Sequence, residues 1–379
     1  MNRQQERIAC ASPGASATGS LTWRKVQLLA LLVLPAVAWS AGLVPAQSVV
    51  QPPRYQVIDL GWPPGAVVAA PVALSDAGHV VGIYLLQVGP YRSFLWDRGV
   101  FTDLGSFGGA TVVGDVNDAG VAAGYSVDGK GRTRAFRFEN GGLVDLGTFQ
   151  GGQNSIGAAI NYAGWVAGDS DGKGPDGYTR AALWPPAGSP IDLGTLGGLV
   201  SQAQALNAVG HVVGWSSAVS GRSHAFLWTP DDGMLDLGTL GGSSSFANAL
   251  NDLGEVVGMS RLPTELAGAF RWTSGQGMTQ LPVPDWARNG DSFALSINSR
   301  GQIVGIAVPR DGSLLYRPLF WEGGAEAVDL STLVDPASGW TGILPSDIND
   351  AGWIAGSAVH PDGRRHAVLL LPAVASGAR

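Results

Sequence analysis

One line recurs seven times along the chain. From Leu74 to Gly82 it reads Leu-Ser-Asp-Ala-Gly-His-Val-Val-Gly, and it returns at Val116–Gly124, Ile160–Gly168, Leu206–Gly214, Leu250–Gly258, Ile297–Gly305 and Ile348–Gly356. The closing glycines lie 42, 44, 46, 44, 47 and 51 residues apart. A period of this length marks an array of supersecondary units, none of which can bury its apolar face alone, and it is typical of four-stranded propeller blades.

Each unit reads as four short strands, a to d. Strand a runs to the Asn of the line (Ser75 in the first copy). Asn-x-x-Gly is a hairpin turn, because Asn bonds its own backbone and Gly supplies a positive φ. The Val-Val-Gly run is strand b. The aromatic runs Phe94–Trp96, Ala135–Phe138, Ala181–Trp184, Ala225–Trp228, Ala269–Trp272 and Leu319–Trp321 are strand c. Asp-Leu-Gly at 103–105, 145–147, 192–194 and 236–238 is strand d, followed by Gly-Gly at 108–109, 151–152, 197–198 and 241–242. No long amphipathic helix pattern is visible after the leader.

The two ends complete each other. The seventh copy has strands a and b and His366–Leu371, then lacks an Asp-Leu-Gly strand. Tyr55–Gly61, Tyr-Gln-Val-Ile-Asp-Leu-Gly, is the missing piece at the other end of the repeat region. The expected fold is therefore all-β, a seven-bladed β-propeller of four-stranded blades with strand a nearest the axis. It spans 54–372 and is closed by an N-terminal strand that completes the last blade.

The stretch Ser223-His-Ala-Phe-Leu-Trp228, the run Asp236-Leu-Gly-Thr-Leu-Gly-Gly242 and the pair Leu250-Asn251 resemble the HAF-repeat family, named for His-Ala-Phe, here His224-Ala225-Phe226. The resemblance covers about residues 55–371, although copies five and six lose the Gly-Gly doublet. It implies a secreted bacterial repeat protein with a propeller-like fold, and it carries over no catalytic residues.

Composition agrees with export. Arg24-Lys25 precedes the apolar run 26–38, a charged segment and an h-region of signal-peptide length. Pro35 breaks that run, which is short for a spanning helix. Residues 1–46 read as a signal peptide or leader, 47–53 as a short linker and 373–379 as a C-terminal tail. The leader's net +3, taken from the whole-chain −7, leaves the mature chain at about −10, which disfavours binding to a nucleic-acid backbone. Cys10 is the only cysteine and lies in the leader, so the mature chain has neither disulfides nor thiolate ligands.

Several residue groups invite a chemical reading. Gly168-Asp-Ser-Asp-Gly172 fits Gly-x-Ser-x-Gly, but Gly168 is the strand-b glycine, and Ser126 and Ser216 occupy the same slot in other copies. A serine nucleophile needs a strand-to-helix turn there, so the match reads as chance. Asp169, Asp171 and Asp176 make an Asp/Gly-rich loop without the spacing of a calcium hand, and read as a solvated turn. The five histidines form no His-x-x-x-His pair, and no metal site or cofactor is expected.

The slot before strand c holds Arg92, Arg134, Arg180, His224, Gly268, Arg317 and His366, while strand d supplies Asp103, Asp145, Asp192, Asp236, Gln280, Asp329 and, through closure, Asp59. The fifth copy loses both partners together. Paired loss favours a structural ion pair across strands c and d of each blade over a basic ring that grips an anion. The connections after blades five, six and seven replace Gly-Gly with Trp286, Trp340 and Trp62, which are candidates for a binding patch or for packing between blades. The expected function is a secreted, non-catalytic binding or scaffold module of unknown ligand, its partner a carbohydrate or an extracellular protein. The alternative is an extracellular or periplasmic enzyme acting on carbohydrate or cell-wall material.

Overall fold

The computed structural model describes residues 54–172, 177–310 and 316–373. The leader, the linker, Asp176 and the tail beyond Ala373 lie outside them. The described chain forms seven four-stranded antiparallel sheets arranged as a seven-bladed β-propeller. It contains no α-helix. Three short 3-10 turns, Asp285–Ala287, Leu330–Leu333 and Pro336–Ser338, sit in the connections after blades five and six.

Each blade opens with its innermost strand. These are Ala66–Leu74, Gly108–Val116, Ser155–Ile160, Gly197–Leu206, Ser245–Leu250, Asp291–Ile297 and Thr341–Ile348. Six blades then run outward in chain order. The seventh does not: Tyr55–Gly61 pairs with Arg365–Pro372, in the register Tyr55↔Pro372 through Gly61↔Ala367. The first and last segments of the fold therefore share one sheet and hold the ring shut.

The recurring glycine of strand b has a steric cause. Strand a carries a one-residue bulge in every blade, as between Pro71 and Ala73 opposite Gly82 and Val81. The bulge pushes a strand-a carbonyl against strand b. A Cβ on Gly82, Gly124, Gly168, Gly214, Gly258, Gly305 or Gly356 would clash with the carbonyl oxygen of Ala70, Val112, Ile156, Gln202, Phe246, Phe293 or Leu344 respectively.

Strand d is shorter than Asp-Leu-Gly suggests. In blades one to four it ends at the Asp: Val100–Asp103, Gly142–Asp145, Ile191–Asp192 and Gly233–Asp236. The Asp Oδ1 accepts the backbone N–H two residues on, for example Gly105 N at 2.7 Å and Gly147 N at 2.8 Å, which turns the chain out of the sheet. The following Leu then plugs the gap between blades. Leu104, Leu193, Leu237, Leu281 and Leu330 are all buried. The core is thus a set of blade–blade interfaces. One joins Val72, Val81 and Leu104 of blade one to Val113 and Phe136 of blade two, and another joins Tyr55 and Ile354 of blade seven to Val304 and Phe320 of blade six.

Around the axis, each turn Asn reaches the next blade. The Nδ2 of Asn117, Asn161, Asn207, Asn251, Asn298 and Asn349 donates to the backbone oxygen of Asn161, Asn207, Asn251, Asn298, Asn349 and Ser75, at 2.9–3.3 Å. Ser75 is too short to reach Asn117, so six of the seven possible links form. Ser75→Asn should close the ring and raise stability by about 0.5–1.5 kcal/mol, measured by urea unfolding. Deleting Tyr55–Gly61 should lower the unfolding midpoint of the whole domain, since blade seven loses its outer strand; an unchanged midpoint would refute the role of that strand in closure.

Candidate functional site

Two surfaces carry polar groups in excess of what the fold uses. The first is the mouth of the central channel on the face of the a–b turns, a cavity of about 280 Å³. Asp76, Asp118, Asp252 and Asp350 stand on the turns around it, and Asp115 and Asp347 lie deeper on the inner strands. No Lys, Arg or His lines it.

The fold explains half of each carboxylate. Asp76, Asp118, Asp252 and Asp350 each use Oδ1 to accept the N–H of Asp350, Ala77, Ala208 and Ser299 in the preceding blade, at 2.7–2.9 Å. Their second oxygens have no protein partner among the described residues. The deep pair is used up: Asp115 accepts Val116 N and Ile160 N, and Asp347 accepts Leu74 N and Ser296 Oγ. Burial raises the pKa of Asp76 above the ordinary carboxylate value, and the charges of Asp350, Asp118 and Asp347 add to the rise. One further group faces the cavity. Gln204 sits on the bulge of its inner strand, 7% exposed, and its amide nitrogen is buried without a partner. On the turns of blades three to five the side chains of Tyr162, Val209 and Leu253 are exposed, and Tyr162 lines the cavity.

The second surface lies on the opposite face, where strands c begin. Here Arg134 grips Asp145 through two bonds of 3.0 and 3.2 Å, Arg180 lies 3.8 Å from Asp192, and Arg317 Nη2 is 2.9 Å from Asp329. Arg92 meets Asp103, which also accepts the Tyr84 hydroxyl. His224 Nδ1 is 2.8 Å from Asp236, and His366 Nδ1 is 2.9 Å from Asp59. Each Asp spends one oxygen on its exit turn and the other on the cation. A blade that loses the cation therefore loses half the reason for the Asp, as at Gly268 and Gln280.

The three connection tryptophans are half-buried, on the neighbouring blades five, six and seven, and they have different ring partners. Trp286 lies under the Arg317 guanidinium, 3.7 Å from ring centre to Cζ, and packs on the core between blades five and six. Trp340 and Trp62 flank His366 instead, with ring centroids 5.9 and 5.5 Å away. Trp340 also meets His360 at 4.9 Å. No ring contact links Trp286 to the other two among the described residues. Ser170 of the Gly-x-Ser-x-Gly match is buried in its strand. It receives Phe149 N, as Ser126, Ser216 and Ser260 receive Phe107, Leu196 and Leu240 N in their own blades.

Sequence reasoning missed the mouth and the cluster around His360. The Asp that opens the turn in four of the seven copies was visible as a repeat position, but its convergence on the axis follows only from ring closure. His360 and Asp362 lie in a b–c loop at positions that the other copies do not fill with His and Asp.

Comparison of the sequence with protein-family models and with curated proteins finds no match. Among solved structures, the chain is similar to a puromycin hydrolase, with 16% identity and a TM-score of 0.54 over 81% of this chain and 52% of that one. It is also similar to a puromycin-hydrolyzing peptidase of Mycobacterium tuberculosis, at 12% identity and TM-score 0.52 over 82% of this chain and 52% of the other. A prolyl endopeptidase aligns at 10% identity and TM-score 0.51, over 81% of this chain and 50% of its own. The chain spans about half the length of these proteins, and at such identities the likeness shows the propeller fold alone.

The raised pKa of Asp76 has a stability consequence. A carboxyl whose folded pKa lies above its unfolded value stabilises the fold while protonated, and that contribution is lost as pH rises through the folded pKa. Asp76→Asn keeps the acceptor for Asp350 N and removes the charge. It should raise the melting temperature at pH 7, and the gain should shrink as pH falls through the raised folded pKa of Asp76 and be gone below the ordinary Asp value. A gain independent of pH would show that charge is not its cause.

Proposed function

We propose that the mature chain is exported and acts as a non-catalytic binding propeller of the HAF-repeat kind. Its mouth takes a basic, partly apolar peptide segment of an extracellular or periplasmic protein. The observation that carries this reading is the concentration of six carboxylates and no cationic side chain around one open cavity. A cleft lined by one sign of charge focuses its field and draws the opposite charge. Four free carboxylate oxygens are suited to ammonium or guanidinium donors. The exposed side chains of Tyr162, Val209 and Leu253 would cover the aliphatic part of such a segment. Among the described residues no helix is long and apolar enough to cross a membrane. Export itself rests on the leader's charged and apolar segments.

A repulsive cluster kept at a ligand mouth trades stability for binding. That trade supplies the test. Calorimetric titration with a short synthetic peptide of alternating leucine and lysine should show saturable binding to the mature protein. The double variant Asp76→Asn/Asp118→Asn should bind on the order of tenfold more weakly or worse while melting no lower than wild type, and added salt should weaken wild-type binding. Equal binding by wild type and double variant would remove the mouth from the function. Binding of a neutral oligosaccharide that is lost in Trp340→Ala would move the function to the opposite face.

A further inference from the structure

The b–c loop of blade seven is a tight turn. His360 N donates to Arg364 O and Gly363 N to His360 O, both at 2.8 Å. Blades two, four and five close the same turn, with Asp128 N bonded to Arg132 O, Ala218 N to Arg222 O and Leu262 N to Leu266 O. The positions equivalent to His360 and Asp362 are Asp128 and Lys130, Ala218 and Ser220, and Leu262 and Thr264. Only blade seven among these puts an imidazole at the start of the turn and a carboxylate at its tip. It also has a histidine in the adjoining slot of strand c.

Those three side chains converge. His360 Nδ1 lies 3.1 Å from Asp362 Oδ1, and His366 Nε2 lies 3.7 Å from Asp362 Oδ2. One ligand atom from each residue falls within 4.8 Å of the others. Four-coordinate zinc with nitrogen and oxygen ligands at about 2.0–2.1 Å places its ligand atoms about 3.4 Å apart, between the 3.1 and 3.7 Å separations of Asp362 from the two histidines.

The surroundings fit a metal ligand rather than a bare ion pair. His366 is bonded through Nδ1 to Asp59, which sets the ring's orientation and leaves Nε2 facing the cluster. A carboxylate behind a histidine is the usual support of a metal-bound imidazole. His360 Nδ1 accepts Asp362 N at 3.2 Å, which holds this nitrogen beside the carboxylate, and a metal would take the lone pair in place of that N–H. Trp340 and Trp62 wall the site with their ring edges.

We infer that His360, Asp362 and His366 form a site for one divalent transition-metal cation of the zinc class, with Asp59 orienting His366. The donor set of two imidazoles and a carboxylate suits such a cation better than calcium or magnesium, which prefer oxygen alone. Three protein ligands leave a fourth position open toward solvent. Binding requires His360 Nδ1 to give up the Asp362 N–H, together with two local movements. The His360 ring leaves its stack on His366, where the centroids are 4.7 Å apart, and the exposed Arg364 guanidinium leaves Asp362 Oδ2, now 3.5 Å away. The site lies on the face opposite the mouth, so it is independent of peptide binding there.

Blade four supplies an internal control. His224 makes the same bond to Asp236 that His366 makes to Asp59, but its turn offers no second donor. The folded mature protein should bind one equivalent of Zn²⁺ in competition with a chromophoric chelator. Co²⁺ in its place should give the visible absorption of a four-coordinate nitrogen and oxygen site. His360→Ala and Asp362→Asn, both on an exposed turn, should each weaken binding by at least about tenfold. Arg364→Ala should tighten it by removing a competing cation, and His224→Ala should leave it unchanged. Circular dichroism melts of each variant separate loss of metal from loss of fold. The inference is overturned if wild type binds no saturable equivalent. It is equally overturned if His360→Ala and Asp362→Asn bind as wild type does, or if Asp76→Asn/Asp118→Asn abolishes binding while those two retain it.

Discussion

The molecule depends on a relay of buried amides around its axis. Each turn asparagine does two jobs at once. Its side-chain oxygen receives backbone N–H groups of its own turn, as Asn117 Oδ1 receives Ala119 N and Val121 N, and its side-chain nitrogen crosses to the next blade. These amides are almost fully buried, so a broken link leaves a polar group without water or partner. The relay therefore fixes the height and rotation of each blade against the next. The bulge in every inner strand and the glycine facing it belong to the same constraint, since they let the strand twist close to the axis without losing its pairing.

Closure turns a line of similar units into a surface with sectors. Seven turn tips that are far apart in the chain meet within one mouth, and their small differences become a pattern. Acids stand on the turns of blades seven, one, two and five, and exposed apolar side chains on blades three to five. The opposite face differentiates in the same way at blade seven, where the regular c–d ion pair survives as His366 with Asp59 and gains neighbours from an altered turn. Function is read most readily where one blade departs from the other six. The shared residues answer to the fold, while a residue found in one blade has no such duty.

The strands, the repeat count and the closing strand were legible because they rest on local periodicity and on matching incomplete ends. The cross-strand partners of Arg134 and Asp145 were legible for a related reason: in the fifth copy both members of the pair vanish together. Strand d was read one turn too long. Asp, Leu and Gly recur as a block, yet the Asp side chain ends the strand, the Leu packs between blades and the Gly at positive φ turns the chain. The tryptophans after blades five, six and seven were legible as departures from Gly-Gly, but their individual ring partners were not. Trp286 stacks under Arg317, while Trp340 and Trp62 flank His366.

By itself the sequence determined the seven blades, their strand order and the segment that joins first to last, since each follows from period, turn chemistry and apolar alternation within some fifty residues. Only the tertiary structure decided that the asparagines bond from blade to blade, that the aspartates beside them share one cavity, and that His360, Asp362 and His366 face each other. Those relations depend on side-chain reach of a few ångströms between groups set by the curvature of the ring and the course of individual turns, and no one-dimensional spacing encodes that geometry.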